Sequence, residues 1–337
     1  MTALLTACSP SEKPAAEPKS FSDFAMDTYM TVTVFDGNMD TALEESHAEI
    51  KRLEKLWSVT DKNSEIYSLD HSGGKTVAVG NETAELIRFA VEMNEKTDGA
   101  LDISLYPILA EWGFTTGDYK IPSDETITAM LQNVRCSEIG VEGQNITLPQ
   151  GMSIDLGSIG KGETGDRITA ILKENGVTSA MLDLGGNIQT IGSKPDGSDW
   201  KIGIQDPFGD GNIAKLSVSD KCVITSGGYE RFFVGEDGET YWHILDPSTG
   251  RPAHSGIVSA TVVGDKGRLC DALSTSLFVM GEERAKEFWR NNGGFDMILI
   301  TEDGRLLVTE GLENNVELAD GRKDIKTEVI EDKTAVG

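Results

Sequence analysis

Asp271 and Thr275 stand four residues apart in "CDALSTSLFVMG". On a helix that spacing turns a carboxylate and a hydroxyl to the same side, a hard-oxygen pair suited to Mg²⁺. The plainer reading is an acid near a helix N-terminus, where the dipole favours it. His243 lies in "YWHILDPSTGRP", at the end of a strand that runs into Pro and Gly turns. A ring in that position can serve as a general base; a hydrogen-bonded strand histidine is the alternative. With an ordinary imidazole pKa of about 6.5, a reaction using it would speed up as pH rises, unless burial moves the value. The stretch "IDLGSIGKGETGD", Ile154 to Asp166, invites comparison with a phosphate loop. A Walker A loop needs glycine five residues before the Gly-Lys pair and Ser or Thr after the lysine. Asp155 and Gly162 occupy those places, so the pattern fails at both ends. The local expectation is a strand, "MSIDL", turning through a glycine elbow into a helix, "ETGDRITAILKENG", with Gly176 as its C-cap. Such an elbow still offers backbone N–H groups to an anion.

The elements around these residues follow from pattern. "YMTVTVFD" alternates and reads as a strand. "DTALEESHAEIKRLEKLWSV" sets Leu43, Ile50, Leu53 and Trp57 on one face of a long helix. "NETAELIRFAVEMNEKTDG" is a second helix, capped near Asn81 and stopped by Gly99, and "SDETITAMLQNV" a short third. From Ile139 onward strands dominate: "NITL", "MSIDL", "AMLDLGGNIQTIG", "WKIGI", "AKLSV" and "CVITSG". Asp237-Gly238 and Asp303-Gly304 mark hairpins. "EERAKEFWRNN" reads as a late helix. Helices cluster early and strands late, without βαβ alternation, which predicts an α+β fold with mixed or antiparallel sheets and helices packed on them. The end of the chain, 316–337, is polar and reads as a mobile tail. His47, on a Glu-rich helix, and His71, in a loop, read as surface residues.

Composition narrows the function. The 337 residues allow one large domain or two lobes. Asp and Glu number 56 against 30 Lys and Arg, a net charge of -26. Such a body repels nucleic acid, and any phosphate it binds needs a cation beside it. Mean hydropathy is -0.25, a globular value. The N-terminal "MTALLTACSPSEKPAAEPKS" contains Leu5-Thr6-Ala7-Cys8, the form of a bacterial lipobox. The apolar run is short and no basic region precedes it, as in a truncated or mis-started signal. Residues 1–20 are therefore read as a lipobox remnant and disordered tether. Cys8 is the lipidation site, which would put the protein on the extracytoplasmic face of a cell membrane. A chance cysteine in a tail is the alternative. Cys136, Cys222 and Cys270 form no C-x-x-C pair and imply no disulfide framework.

Taken in order, these stretches resemble one family, the ApbE flavin transferases (FAD:protein FMN transferases). "AMDTYM", "SVTDKNSEIYSLD", "GALDISLYPILAEWGF", "IDLGSIGKGETGD", "LDLGGNIQTIG", "VITSGGYERFF", "HILDPSTGRPA" and "CDALSTSLFVMG" follow the family's sequence of motifs from about Phe24 to Thr309. The resemblance implies a two-lobed flavin-binding fold over 21–315. It implies Mg²⁺-dependent transfer of FMN from FAD to a Thr or Ser hydroxyl, with release of AMP. The acceptor hydroxyl in such systems lies in an Asp-x-x-Ser/Thr-Gly-Ala-Thr-like motif of another protein, such as an Rnf- or Nqr-type or extracellular electron-transfer subunit. By resemblance Asp155 and Lys161 contact FAD. The Ser158 carbonyl joins Asp271 and Thr275 around the cation, and Asp271 is needed for catalysis. Met26, Ala100, Leu101, Asp102 and Leu245 match flavin contacts, and His243 is the candidate base. Two positions depart from the pattern. Asp27 stands where the family has glycine. Thr60 stands where an aromatic ring often stacks on the flavin, which Thr cannot do. Two rival readings remain: an FAD pyrophosphatase that uses water to give FMN and AMP, and a lipid-anchored FAD-binding protein that would not need Asp271.

Overall fold

The computed structural model describes residues 17–332; Cys8 and the lipobox lie outside the described residues. The chain opens with the hairpin β1 (Lys19–Ala25) and β2 (Thr28–Val34), followed by α1 (Met39–Trp57) and α2 (Glu65–Asp70). Then come β3 (Val77–Ala78), α3 (Asn81–Lys96), α4 (Tyr106–Glu111), α5 (Asp124–Leu131), β4 (Gly140–Glu142), β5 (Asn145–Thr147) and α6 (Gly157–Glu174). The second half holds β6 (Ala180–Leu184), β7 (Ile188–Ile191), β8 (Trp200–Gln205), β9 (Asn212–Val218) and β10 (Cys222–Gly227). Short strands β11 (Phe232–Val234), β12 (Thr240–Trp242), β13 (Leu245–Asp246) and β14 (Arg251–Pro252) lead to β15 (Ile257–Gly264) and the long α7 (Gly267–Asn292). The chain closes with β16 (Asp296–Thr301), β17 (Leu306–Thr309), β18 (Val316–Leu318) and β19 (Thr327–Ile330).

Nine strands form the main sheet, in the order β1-β2-β6-β7-β10-β15-β16-β17-β19. Every neighbouring pair is antiparallel except β17 with β19, so the α+β expectation holds. Its central strands are buried on both faces. Ile224, Val262, Met297 and Leu299 join the core beneath the helices. Their neighbours Val223, Val263, Ile298 and Ile300 pack against the small sheet β18-β9-β8. This is why those strands read as continuous apolar runs rather than alternating ones. Full burial of each such side chain is worth about 1.5–3 kcal/mol.

Helix α1 buries Ala42, Ser46, Ile50, Leu53 and Trp57 at helical spacing. Leu43, expected on that face, is only partly buried. Helix α2 starts where the Ser64 hydroxyl accepts a hydrogen bond from Tyr67 N–H at 2.9 Å, an N-cap. Helix α3 starts at Asn81 with Gly80 in the cap position, as expected.

Three expectations are corrected. "MSIDL" forms no strand and joins no sheet. Its alternating burial is real, yet Ile154 N–H donates to the Asp70 carboxylate at 2.8 Å and Asp155 N–H to Ile103 O at 2.9 Å, which satisfies the backbone without a ladder. Helix α6 begins at Gly157, earlier than expected, and takes the glycine elbow into its own body. Residues 316–332 are not a loose tail: β18 pairs with β9, and β19 adds a parallel strand to the main sheet with Ile330 buried. The expected late helix is the second half of α7, continuous with the first across a kink at Gly281 (φ 76°). A side chain there would lie 2.6 Å from Ser255 O.

Candidate functional site

The site begins where α6 crosses α7. Gly160, Gly162 and Gly165 carry Gly-x-Gly-x-x-Gly spacing, but all three lie inside α6 rather than in a strand-to-helix turn, so they are not a dinucleotide fingerprint. Their role is close approach. A Cβ on Gly162 would lie 2.3 Å from Gly267 O and 2.7 Å from the Asp271 Cβ. The closeness lets Gly162 N–H donate to Asp271 Oδ2 at 2.8 Å, while Asn187 Nδ2 donates to Oδ1 at 3.0 Å. Asp271 is thus buried and clamped from two sides. Thr275 lies one turn on, with its hydroxyl 3.2 Å from Ser226 Oγ. Ser158 occupies the first turn of α6.

These residues fit a hard divalent cation. Each Asp271 oxygen accepts one hydrogen bond and keeps a further lone pair. The donor set is one carboxylate, one hydroxyl and one backbone carbonyl. Among the described residues no group of three or more His, Cys, Asp or Glu side chains is placed to hold a metal. A cation here would therefore draw on substrate phosphates and water, the habit of Mg²⁺ rather than of an all-protein cage.

Lys161, also on α6, is half-buried and forms no ion pair among the described residues. Its charge is felt by Asp155, Glu230 and His243. The Asp155 carboxyl is held above its ordinary pKa by burial, against a hydrogen bond from Gly157 N–H (2.7 Å) and the Lys161 and Arg231 charges. His243 follows β12. Desolvation pushes its pKa down to about 3, with the Arg231 and Lys161 charges adding to the effect. Its Nδ1 lies 3.2 Å from Arg231 O. A carbonyl only accepts, so Nδ1 carries the proton and Nε2 is left as the acceptor. The ring is a neutral base with one open nitrogen.

The other expected residues scatter. Met26 closes the turn before β2 with φ 49°; its N–H donates to Glu54 Oε1 at 2.8 Å and its sulfur lies 3.6 Å from Thr164 Oγ1 of α6. This puts the turn beside the crossing helices. Ala100 and Leu101 are buried. The Asp102 carboxylate is taken up locally: it accepts from Ser104 N–H at 2.8 Å and from Cys136 N–H at 3.2 Å. Any ligand contact from 100–102 is made by something other than a free carboxylate. Leu245 packs in an aromatic-lined core with Leu105, Ile108, Trp112 and Phe114. Thr60 is exposed, its hydroxyl 3.2 Å from Ser58 Oγ.

Sequence reasoning missed four residues here. Glu230 is exposed as a residue, yet its carboxyl is hemmed in; desolvation pushes its pKa up to about 7, opposed by Lys161 and reinforced by Asp271. Arg231 pairs with Asp27 at 2.9 Å and donates to Phe114 O at 2.6 Å, tying the β1–β2 turn to the segment before β11. Asp70 has one buried oxygen without a hydrogen bond, and burial raises its pKa to about 7. Asn187 holds Asp271. The one available signal was the charged Glu-Arg pair directly after Gly227-Gly228-Tyr229 at the end of a strand.

Residues 26–299 match the ApbE family. The chain is 32% identical over 300 residues to an FAD:protein FMN transferase of Treponema pallidum, covering 83% of each chain. It is 33% identical over 251 residues to the Vibrio cholerae protein of that name, covering 72% of this chain and 75% of the relative. Among solved structures it resembles the ApbE protein of Thermotoga maritima, with TM-score 0.83 and 32% identity over 89% of this chain and 99% of that one. The flavin transferase ApbE of Vibrio cholerae aligns with TM-score 0.78 at 26% identity, over 93% of this chain and 100% of that one. Fold, order of motifs and sequence agree: the chain belongs to the ApbE family.

Proposed function

We propose that this protein transfers the FMN part of FAD to a Ser or Thr hydroxyl of an acceptor protein and releases AMP. The observation that carries this reading is the unpaired Lys161 ammonium beside a neutral His243 with an open Nε2. A half-buried cation in a body of net charge -26 is placed for an anion, and a neutral imidazole is placed for a proton. The acceptor hydroxyl gives its proton to His243 Nε2. Its oxygen bonds to the phosphorus on the FMN side of the diphosphate. The bond from that phosphorus to the bridging oxygen breaks, and AMP leaves with the oxygen. Lys161 offsets the charge that gathers on the phosphate oxygens. Asp271, Thr275 and the Ser158 carbonyl would hold Mg²⁺, which when bound neutralises the diphosphate as a Lewis acid.

One observation favours a second reading. Exposed Thr60 cannot stack on a flavin, and a looser pocket admits water in place of the hydroxyl, giving FMN and AMP. Mass spectrometry decides between them. A carrier protein bearing an Asp-x-x-Ser/Thr-Gly-Ala-Thr segment is incubated with the protein, FAD and Mg²⁺. An FMN adduct on the hydroxyl is the expected result; free FMN and AMP with an unmodified carrier would sink the transferase reading. Asp271→Ala should abolish both products.

The tether is part of the proposal. The lipobox form of Leu5 to Cys8 supports diacylglyceryl attachment at Cys8 and an extracytoplasmic membrane location. A precursor carrying Cys8→Ser should lose processing and membrane retention; a variant retained like the parent removes the anchor.

A further inference from the structure

A row of hydroxyls runs behind the proposed cation site, from α7 to β10. Ser226 follows Ile224 by two on β10, so its side chain shares the face that joins the core beneath the helices. Thr225 takes the other face, where its hydroxyl lies 2.8 Å from Thr261 Oγ1 of β15. On α7, Ser274 and Thr275 follow Asp271 by three and four residues, so all three share one side of the helix. Ser226 Oγ lies 2.9 Å from Ser274 Oγ and 3.2 Å from Thr275 Oγ1. The fully buried Ser274 hydroxyl lies 3.0 Å from the Asp271 carbonyl oxygen. Each hydroxyl has one proton to donate, and a carbonyl only accepts. Ser274 therefore donates to Asp271 O, Ser226 must donate to Ser274, and Thr275 must donate to Ser226. The three contacts admit this order of protons and no other.

We propose that Ser226 and Ser274 are positioning residues for the cation. The chain from Thr275 through Ser226 and Ser274 to Asp271 O directs the Thr275 proton toward β10 and leaves the Thr275 lone pairs for a divalent ion. The inference rests on the cation reading above. Of the three protein donors in that reading, the carboxylate and the backbone carbonyl carry no proton. Only the Thr275 hydroxyl can turn a proton toward the ion, where its partial positive charge is repelled. Held as a donor to Ser226, it keeps both acceptor lone pairs. The Asp271 carboxylate is oriented in the same manner, by Gly162 N–H and Asn187 Nδ2. Both side chains of the donor set are thus fixed by neighbours that touch no ion themselves. Losing such a partner typically costs about 10–100-fold in metal affinity.

The test follows Mn²⁺, which shares the oxygen-ligand preference of Mg²⁺, through the EPR signal of the free ion, with FAD present and no acceptor. Ser226→Ala should raise the Kd for Mn²⁺ about tenfold. Ser274→Ala should raise it by less, because Ser226 is then free to turn its proton to Thr275. The Ser226→Ala/Ser274→Ala double variant should bind like Ser226→Ala alone, since a chain already broken at Ser226 loses nothing more at Ser274. Thr225→Val, on the other face of β10, should leave the Kd unchanged. FAD affinity in EDTA should match the parent throughout. A Ser226→Ala variant that binds Mn²⁺ as the parent does overturns the inference. So does a double variant whose loss is the product of the two single losses, or a loss matched by an equal fall in FAD affinity in EDTA. If Asp271→Ala binds Mn²⁺ as tightly as the parent, the cation reading itself fails, and this inference with it.

Discussion

His243 is held neutral by its surroundings, and this changes what a pH profile should show. With its pKa near 3, the ring is unprotonated at every pH at which the enzyme would be assayed. The parent should therefore show no gain in rate from imidazole deprotonation near 6.5. An inflection near 7 has another source in Glu230, whose pKa is about 7; it should vanish in Glu230→Gln. His243→Ala should lose ~10²–10⁴-fold in transfer rate with little change in FAD affinity. A variant that transfers at the parent rate removes the base. Asp70 offers a stability test. Its folded pKa, about 7, lies above the ordinary 3.8. Below the lower value both states are protonated and nothing is lost. Between the two the native state keeps a proton that the unfolded chain has released, so stability falls as pH rises through that window, and the full penalty stands above it. Asp70→Asn should raise stability at pH 8 by on the order of 1 kcal/mol and have little effect at pH 4, as thermal melts at the two pH values would show. Neither Asp70 nor Glu230 was legible as a perturbed acid in the sequence. A carboxyl's environment is set by residues distant in the chain, here Ile154 for Asp70 and Lys161 for Glu230.

At the scale of elements, the crossing of α6 and α7 carries the site. Gly162→Ala sets a methyl 2.3 Å from a backbone oxygen that cannot move without separating the helices. It should cost about 3 kcal/mol or more and loosen the clamp on Asp271. Gly165→Ala meets the amide end of Gln189, a side chain that can turn aside, and should cost clearly less. Equal losses in denaturant unfolding would show that the crossing is not the reason for Gly162. The sequence foretold α1 through its spacing and the β16–β17 hairpin through Asp303-Gly304; it did not foretell α2 (Glu65–Asp70). It misjudged "MSIDL" because alternation reports burial, and burial does not require a ladder. It misjudged the start of α6 because glycine weakens helices in isolation, while close packing against α7 outweighs that propensity here.

For the whole molecule, the sheet depends on both ends of the chain. Removing 316–337 takes β18 from β9 and β19 from β17 and uncovers two strand edges. The shortened protein should melt roughly 5–10 °C lower and aggregate more readily. A polar composition hid this: β19 has a single fully buried side chain, Ile330, too little to announce a strand. The opposite edge has a consequence in time. β2 pairs with β6, Met30 opposite Leu184, so the first hairpin waits for a partner roughly 150 residues away. At ribosomal speeds of ~5–20 residues per second that delay is about 8–30 s. Throughout it the β1–β2 ribbon can pack only against α1, through Ala42 and Ile50, and an early segment of the chain is among the last to reach its place in the sheet.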